Sequence, residues 1–276
     1  MGPRGASNHP PRIATPPLSV HHNDRYSARV EVTDPDGDPV TMRALGLPRW
    51  LAFDTATFIL EGQPGEDDIG RNQVSLYATD GRLSATLTFE ISVLLGPCRE
   101  RAVFGDPARS PYVLPFAPGT PVEVLQTYCG RGSHSRDNQL AYDFRTGFGE
   151  PVAAARAGTV TTVVDRWADT DKDDAHFNYL LVTHDDGSFA FYAHLKSQSV
   201  RVAQGERVSQ GQTLAASGES GTPTLCAAVG QCAVLHFGVY RRTWALDLPV
   251  NFRNAGGPLD ERGGLMAGAF YMALPF

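Results

Sequence analysis

The chain has 276 residues, 42% of them hydrophobic and 20% charged, with a formal net charge of −6. That length suffices for two domains of ordinary size, and the composition excludes a disordered chain. The negative balance argues against nonspecific nucleic-acid binding, which needs a basic face, and no apolar run approaches the length of a membrane span.

Gly (28) and Pro (20) are plentiful and sustained helical periodicity is scarce. An all-β chain rich in turns is therefore expected. Residues 1–16 combine Pro, Gly and polar groups and predict a flexible lead-in. The opening stretch Met1 to Asn8 lacks the apolar run of a signal peptide, which leaves either a cytosolic chain or a mature or truncated form whose export signal is missing.

From Leu18 onward, short alternating segments are separated by turn clusters. Ser27 to Val32, Val74 to Ala78 and Thr86 to Val93 alternate apolar and polar residues, and Asp34-Pro-Asp-Gly-Asp reads as a tight turn. Strands at this spacing with no helix between them predict a sandwich of roughly seven strands. Asp34, Asp36, Asp38 and Asp80 could supply oxygen ligands to Ca2+. No complete ligand loop is visible, however, and Asp, Pro and Gly form turns in their own right. The segment Leu47 to Asp54, with Leu60-Glu-Gly-Gln-Pro, Asp68-Ile-Gly and Ala78-Thr-Asp-Gly, resembles the cadherin-like Ig domains of the dystroglycan type. The resemblance covers residues 17–95 and implies an Ig-like Greek-key sandwich used as a spacer or adhesion module, with Trp50 and Leu51 in its core.

Val93 to Pro97 marks a boundary, and residues 98–276 read as a second β-rich domain. Pro151 to Val164 holds a strand, a turn at Ala157-Gly158 and a second strand. Asn178 to His184, the turn Asp185-Asp186-Gly187 and Phe189 to His194 form a hairpin pattern. Four cysteines fall as two local pairs, Cys98/Cys129 and Cys226/Cys232. Three connectivities are open and the sequence does not choose among them. An even count without CxxC spacing fits structural disulfides in an exported protein.

Four residues of this half stand out as chemistry: His134, Asp143, His194 and His236. Each is a polar residue set among apolar neighbours in strand-like alternation, which sends one side chain to a cleft and the next to a core. Two imidazoles and a carboxylate make a common three-ligand set for zinc with one position left open. The remaining histidine is then available for proton transfer.

The ordered set Ser133-His134, Tyr142-Asp143-Phe144, Pro151-Val-Ala-Ala, Gly158-Thr-Val, Tyr192-Ala-His-Leu, Val208, Gly211-Gln212, Ser217-Gly218 and Leu235-His-Phe resembles the LytM/lysostaphin-type peptidase family M23. It spans about residues 100–244. The resemblance implies an antiparallel β-sheet groove with Zn2+ at its floor, held by His134, Asp143 and His236, with His194 as catalytic histidine. It implies cleavage of peptide bonds in bacterial peptidoglycan, and hence a secreted, periplasmic or cell-surface location.

One position departs from that pattern. The family usually ends in His-x-His, and here Val234 stands where the first of these is expected. Valine neither donates a hydrogen bond nor carries a proton. This favours an alternative, a catalytically weak domain that binds peptidoglycan or regulates another cell-wall hydrolase. His176, in the loop Trp167 to Asn178, is the candidate to replace the missing imidazole, although an exposed loop histidine is the simpler reading. Asp169, Asp171, Asp173 and Asp174 resemble the start of a calcium loop but lack its Gly and distant Glu. His184 reads as structural, and His9, His21 and His22 carry no assigned chemistry. The loop Gly218 to Cys232 is longer than the family's usual one, and a Cys226–Cys232 bridge would stiffen it. The apolar C-terminal tail is expected to pack back on the domain.

Overall fold

A computed structural model of the chain describes residues 7–130, 134, 138–221, 233–241 and 243–276. There are two compact units, Met1–Gly96 and Pro97–Phe276, and in each of them nearly all the regular secondary structure is strand.

In the first unit the strands are β1 (Arg12–Ile13), β2 (Ser19–His21), β3 (Tyr26–Arg29), β4 (Val32–Thr33), β5 (Thr41–Gly46), β6 (Leu51–Asp54), β7 (Ile59–Gly62), β8 (Gly70–Thr79) and β9 (Ser84–Leu94). They pair in the orders β2-β9-β8-β5, β3-β7-β6 and β1-β4. Alternation decides what is inside. Val74, Leu76 and Ala78 of β8 are fully buried and join Tyr26, Met42, Leu51, Leu60 and Ile91 in one core. Trp50 sets its ring edge-on to Tyr26 with centroids 5.9 Å apart, and its indole N–H donates to Asn72 Oδ1 at 3.1 Å. Gly62 passes beneath it, because a Cβ there would come within 2.0 Å of the Trp50 carbonyl oxygen.

The segment predicted as a flexible lead-in is partly ordered. Arg12–Ile13 pairs with Val32–Thr33, Ala14 N–H donates to Glu31 O at 2.9 Å, and Ile13 packs on the core. Two residues of edge strand and one apolar anchor suffice, and Pro11 and Pro16 flank the short pairing without interrupting a ladder. The aspartates act as turn formers. Asp34 Oδ1 accepts the backbone N–H groups of Asp36 (2.9 Å) and Asp38 (3.2 Å), and Asp80 Oδ1 accepts those of Arg82 and Leu83 (both 2.6 Å).

The second unit opens with a single helical turn, α1 (Cys98–Arg101). Its strands are β10 (Pro121–Gln126), β11 (Tyr142–Thr146), β12 (Pro151–Ala153), β13 (Gly158–Val164), β14 (Tyr179–Thr183), β15 (Ser188–Ala193), β16 (Arg207–Val208), β17 (Thr213–Ala216), β18 (Ala233–Arg241), β19 (Thr243–Asp247), β20 (Ala255–Gly256) and β21 (Phe270–Ala273). A ten-stranded sheet runs in the order β16-β13-β14-β15-β18-β11-β10-β21-β20, with β19 attached to β18 and every pairing antiparallel. Strands β12 and β17 form a separate pair.

One face of the large sheet carries Tyr142, Phe144, Val160, Leu180, Val182, Tyr192, Leu235 and Phe237, all fully buried in the main core. The C-terminal tail does pack back, and it does so as strand β21 beside β10, with Tyr271 and Ala273 in that core. Cys98 and Cys129 form a disulfide. Cys226 and Cys232 lie outside the described residues.

Candidate metal centre

The centre is a consequence of strand parity. Strands β11 and β18 pair with Asp143 opposite His236, Tyr142 opposite Phe237 and Phe144 opposite Leu235. Since the flanking aromatic and leucine side chains fill the core, Asp143 and His236 project from the opposite face. On the other side of β18, Ala193 of β15 stands opposite His236, and His194 follows at the strand's end. His134 arrives from the connection between β10 and β11.

His134, Asp143 and His236 are all buried, and one ligand atom from each lies within 4.8 Å of the others. Asp143 Oδ1 is 2.8 Å from His236 Nδ1 and 3.2 Å from His134 Nε2. The two imidazole rings meet edge-on with centroids 5.4 Å apart. His134 Nδ1 lies 2.9 Å from the Thr127 carbonyl. A carbonyl oxygen can only accept, so Nδ1 carries the proton and Nε2 presents a lone pair to a carboxylate. Two facing acceptors are unfavourable unless a proton or a metal cation lies between them.

Burial opposes ionisation of Asp143, but the adjacent His134 and His236 imidazoles outweigh it and hold the carboxyl well below the usual carboxylate range. The Nε2 atoms of His134 and His236 are buried with no hydrogen-bond partner among the described residues. An ionised carboxylate flanked by two imidazoles, with orphaned buried nitrogens, fits a divalent cation of the zinc type.

His194 is a neighbour of this cluster. Its ring centroid lies 6.3 Å from that of His236, and its Nδ1 donates to the Ser220 carbonyl at 2.9 Å. Nε2 is thereby left as the unprotonated nitrogen. Burial, reinforced by the nearby His236, pushes the imidazole down to about 4, so the ring is neutral at neutral pH. The residue adopts a left-handed backbone with φ of 62°, which a β-carbon disfavours. The Gly218 N–H holds its carbonyl at 2.9 Å.

Val234 occupies the same face as His236, two positions earlier on β18, opposite Arg145 and almost fully buried. His176 does not join the cluster. Its Nδ1 is 2.9 Å from Asp171 Oδ2, and its ring stacks on Trp167 at 3.8 Å between centroids. The acidic loop is likewise occupied with backbone. Asp169 accepts the N–H groups of Ser197 and Glu219, Asp171 that of Asp173, and Asp173 that of Ala175. Among the described residues, His134, Asp143 and His236 form the one group of three or more metal-capable side chains. His184 is buried, with Nδ1 on the Ala157 carbonyl at 2.9 Å.

Sequence reasoning missed two features of the centre. The carbonyls of Thr127 and Ser220 orient His134 and His194, and a backbone acceptor leaves no residue-type signal. An aromatic wall also adjoins the cluster: Phe191 lies edge-on to His236 at 5.5 Å and to the half-exposed Trp244 at 4.9 Å.

Residues 137–248 match the family model described as "Peptidase family M23". The second unit therefore carries an M23 peptidase-family domain. The match to M23 includes Asp143, His194, Val234 and His236 and begins just after His134. Residues 10–94 match the model described as "Putative Ig domain". Solved structures similar to this chain include a mutant form of the catalytic domain of the prophage-encoded M23 protein EnpA from Enterococcus faecalis. It is 23% identical, covers 49% of this chain and 94% of its own, and has a TM-score of 0.36. The catalytic domain of lysostaphin from Staphylococcus simulans is 20% identical, covers 46% and 86%, and has a TM-score of 0.32. A chain of the SpoIIIAH–SpoIIQ complex is 19% identical, covers 50% and 95%, and has a TM-score of 0.37. No curated protein matches the sequence. Among the described residues, no helix is long and apolar enough to cross a membrane.

Proposed function

We propose that the M23 domain is a zinc-dependent endopeptidase acting on the peptides of bacterial peptidoglycan, with His134, Asp143 and His236 as the metal ligands. The observation that carries this reading is their convergence: a buried carboxylate between two imidazoles whose Nε2 atoms have no hydrogen-bond partner among the described residues. Zinc, when bound, supplies Lewis acidity, polarising the scissile carbonyl and lowering the pKa of a water toward neutrality.

The chain's own residues do the rest. Thr127 fixes the tautomer of His134 through Nδ1, so that Nε2 is the ligand atom. His194, neutral and with Nε2 bare, accepts the proton of the attacking water and returns it to the leaving amine. Buried Phe191, edge-on to His236, keeps water from that side of the imidazole, which strengthens the electrostatic interactions made there. The Ig-like unit spaces or tethers the enzyme at the cell envelope, outside the cytoplasm.

Val234 supports a second reading, a weakly active domain that binds peptidoglycan or regulates another hydrolase. Digestion of purified peptidoglycan by the zinc-loaded protein separates the two. New free amines that vanish in His194→Ala support the peptidase. Stoichiometric zinc with no amine release across several wall chemistries leaves the binding reading.

A further inference from the structure

The backbone from 217 to 221 runs beside His194, and its polar groups are closely accounted for. Gly218 N–H donates to the His194 carbonyl (2.9 Å), and the Gly218 carbonyl accepts from Val234 N–H (3.3 Å). Glu219 N–H donates to Asp169 Oδ1 at 3.0 Å. Ser220 Oγ donates to the Leu195 carbonyl (2.9 Å) and accepts from Asn178 N–H (3.0 Å). Gly218 has no room for a side chain, since a Cβ would lie 2.4 Å from Lys196 Cα.

Two consecutive carbonyls of this strap have different clients. That of Ser220 accepts the Nδ1 proton of His194 at 2.9 Å. That of Glu219 accepts from Lys172 Nζ at 3.2 Å, and the same ammonium reaches Glu219 Oε2 at 3.0 Å. Lys172 comes from the loop between β13 and β14. The Glu219 side chain is 8% exposed and that of Lys172 32%, so the carboxylate is withdrawn from water, where an unpaired charge is costly, while the ammonium is half-buried.

We propose that Lys172 is a positioning residue for His194. By holding the Glu219 carbonyl, its ammonium anchors the strap one peptide before the Ser220 carbonyl. The peptide plane of that carbonyl is closed on the other side by Gly221 N–H, which donates to the carbonyl of the neighbouring Asp171 at 3.1 Å. The two anchors together aim the Ser220 carbonyl at Nδ1. That fixes the imidazole tautomer in which Nε2 is bare. The strained left-handed backbone at His194 makes such support necessary, because a conformation of this kind persists only where its surroundings over-determine it. Lys172 acts here through backbone, so the Glu219 carboxylate is a secondary partner. The catalytic consequence rests on the reading of His194 as the proton-transfer residue. The tautomer does not.

The test is nitrogen-15 NMR of histidine-labelled, zinc-loaded full-length protein, alongside steady-state kinetics on peptidoglycan. In the wild type His194 shows a single tautomer protonated at Nδ1. Lys172→Met gives a mixture of tautomers and lowers kcat about 10–100-fold, with KM and zinc content unchanged. Lys172→Arg, which retains a charged donor, restores both signals. Glu219→Gln keeps the wild-type tautomer. A single Nδ1-protonated signal in Lys172→Met overturns the inference, as does a mixed signal in Glu219→Gln, a variant that stays informative should Lys172→Met fail to fold. A tautomer change in Lys172→Met with no turnover in the wild type would uphold the positioning role and remove the peptidase reading.

Discussion

His236 and Asp143 are directly opposed residues on adjacent antiparallel strands, and His236 Nδ1 lies 2.8 Å from Asp143 Oδ1. Their proximity is thus set by backbone pairing, with the core side chains of β11 and β18 locking the register. A one-residue slip of β18 would send His236 to the core face and its apolar neighbours to the opposite one, leaving Asp143 without its partner. The third member, His134, is held instead by one carbonyl.

Val234 shares the groove face with His236, and its apolar side chain offers no proton or hydrogen bond. Val234→His is expected to raise kcat on peptidoglycan by on the order of 10² while leaving zinc content unchanged. Amine release under saturating substrate reads this out. No gain would mean that the missing imidazole does not limit turnover.

His194 lies outside the proposed ligand triad, so its loss should separate binding from chemistry. His194→Ala is expected to retain metal and to lose on the order of 10²–10⁴ in kcat. Metal loss in this variant would place His194 among the ligands instead.

The extent to which this site was legible follows from which links are side chains. The alternation Leu235-His236-Phe237 and Tyr142-Asp143-Phe144 reveals which residue faces the core, because a strand's period of two is written in the sequence. The hairpin from Tyr179 to Ala193 was legible from its Asp185-Asp186-Gly187 turn. The carbonyls of Thr127 and Ser220 were not, since every residue has one and only the path of the chain selects which is used. The left-handed turn at His194 depends on the strap at 217–221 and has no local signature. In the first unit, the strand at Arg12–Ile13 was hidden among prolines and is ordered by a distant partner, Val32–Thr33.

The Cys98–Cys129 bridge ties α1 to the segment that carries Thr127, and Cys129 N–H donates to the Gln139 carbonyl at 2.6 Å. Replacing both cysteines by serine is expected to cost about 2–4 kcal/mol of stability in the second unit. It should also weaken zinc binding, because the Thr127 carbonyl that orients His134 loses a nearby anchor. Thermal melts and competitive zinc titration check the two effects. An unchanged zinc affinity would show that Thr127 is held independently of the bridge.

His184 is buried, and burial pushes its imidazole below the ordinary value. The unfolded chain therefore binds the proton more readily than the folded one, and protonation favours unfolding. The stability present above the usual histidine range of about 6.5 is lost as pH falls toward the lowered folded value. Melting temperatures of the wild type should drop between about pH 7 and pH 5, and His184→Gln should flatten that slope. An equal slope in both proteins would assign the effect to other groups.

The central claim is that His134, Asp143 and His236 bind zinc, and metal analysis of the purified chain after zinc loading and desalting tests it most directly. The account predicts about one zinc per chain in the wild type and loss of that zinc in each of His134→Ala, Asp143→Ala and His236→Ala, with folding retained by circular dichroism. A wild-type chain that retains no zinc, or full occupancy in the three variants, would contradict it.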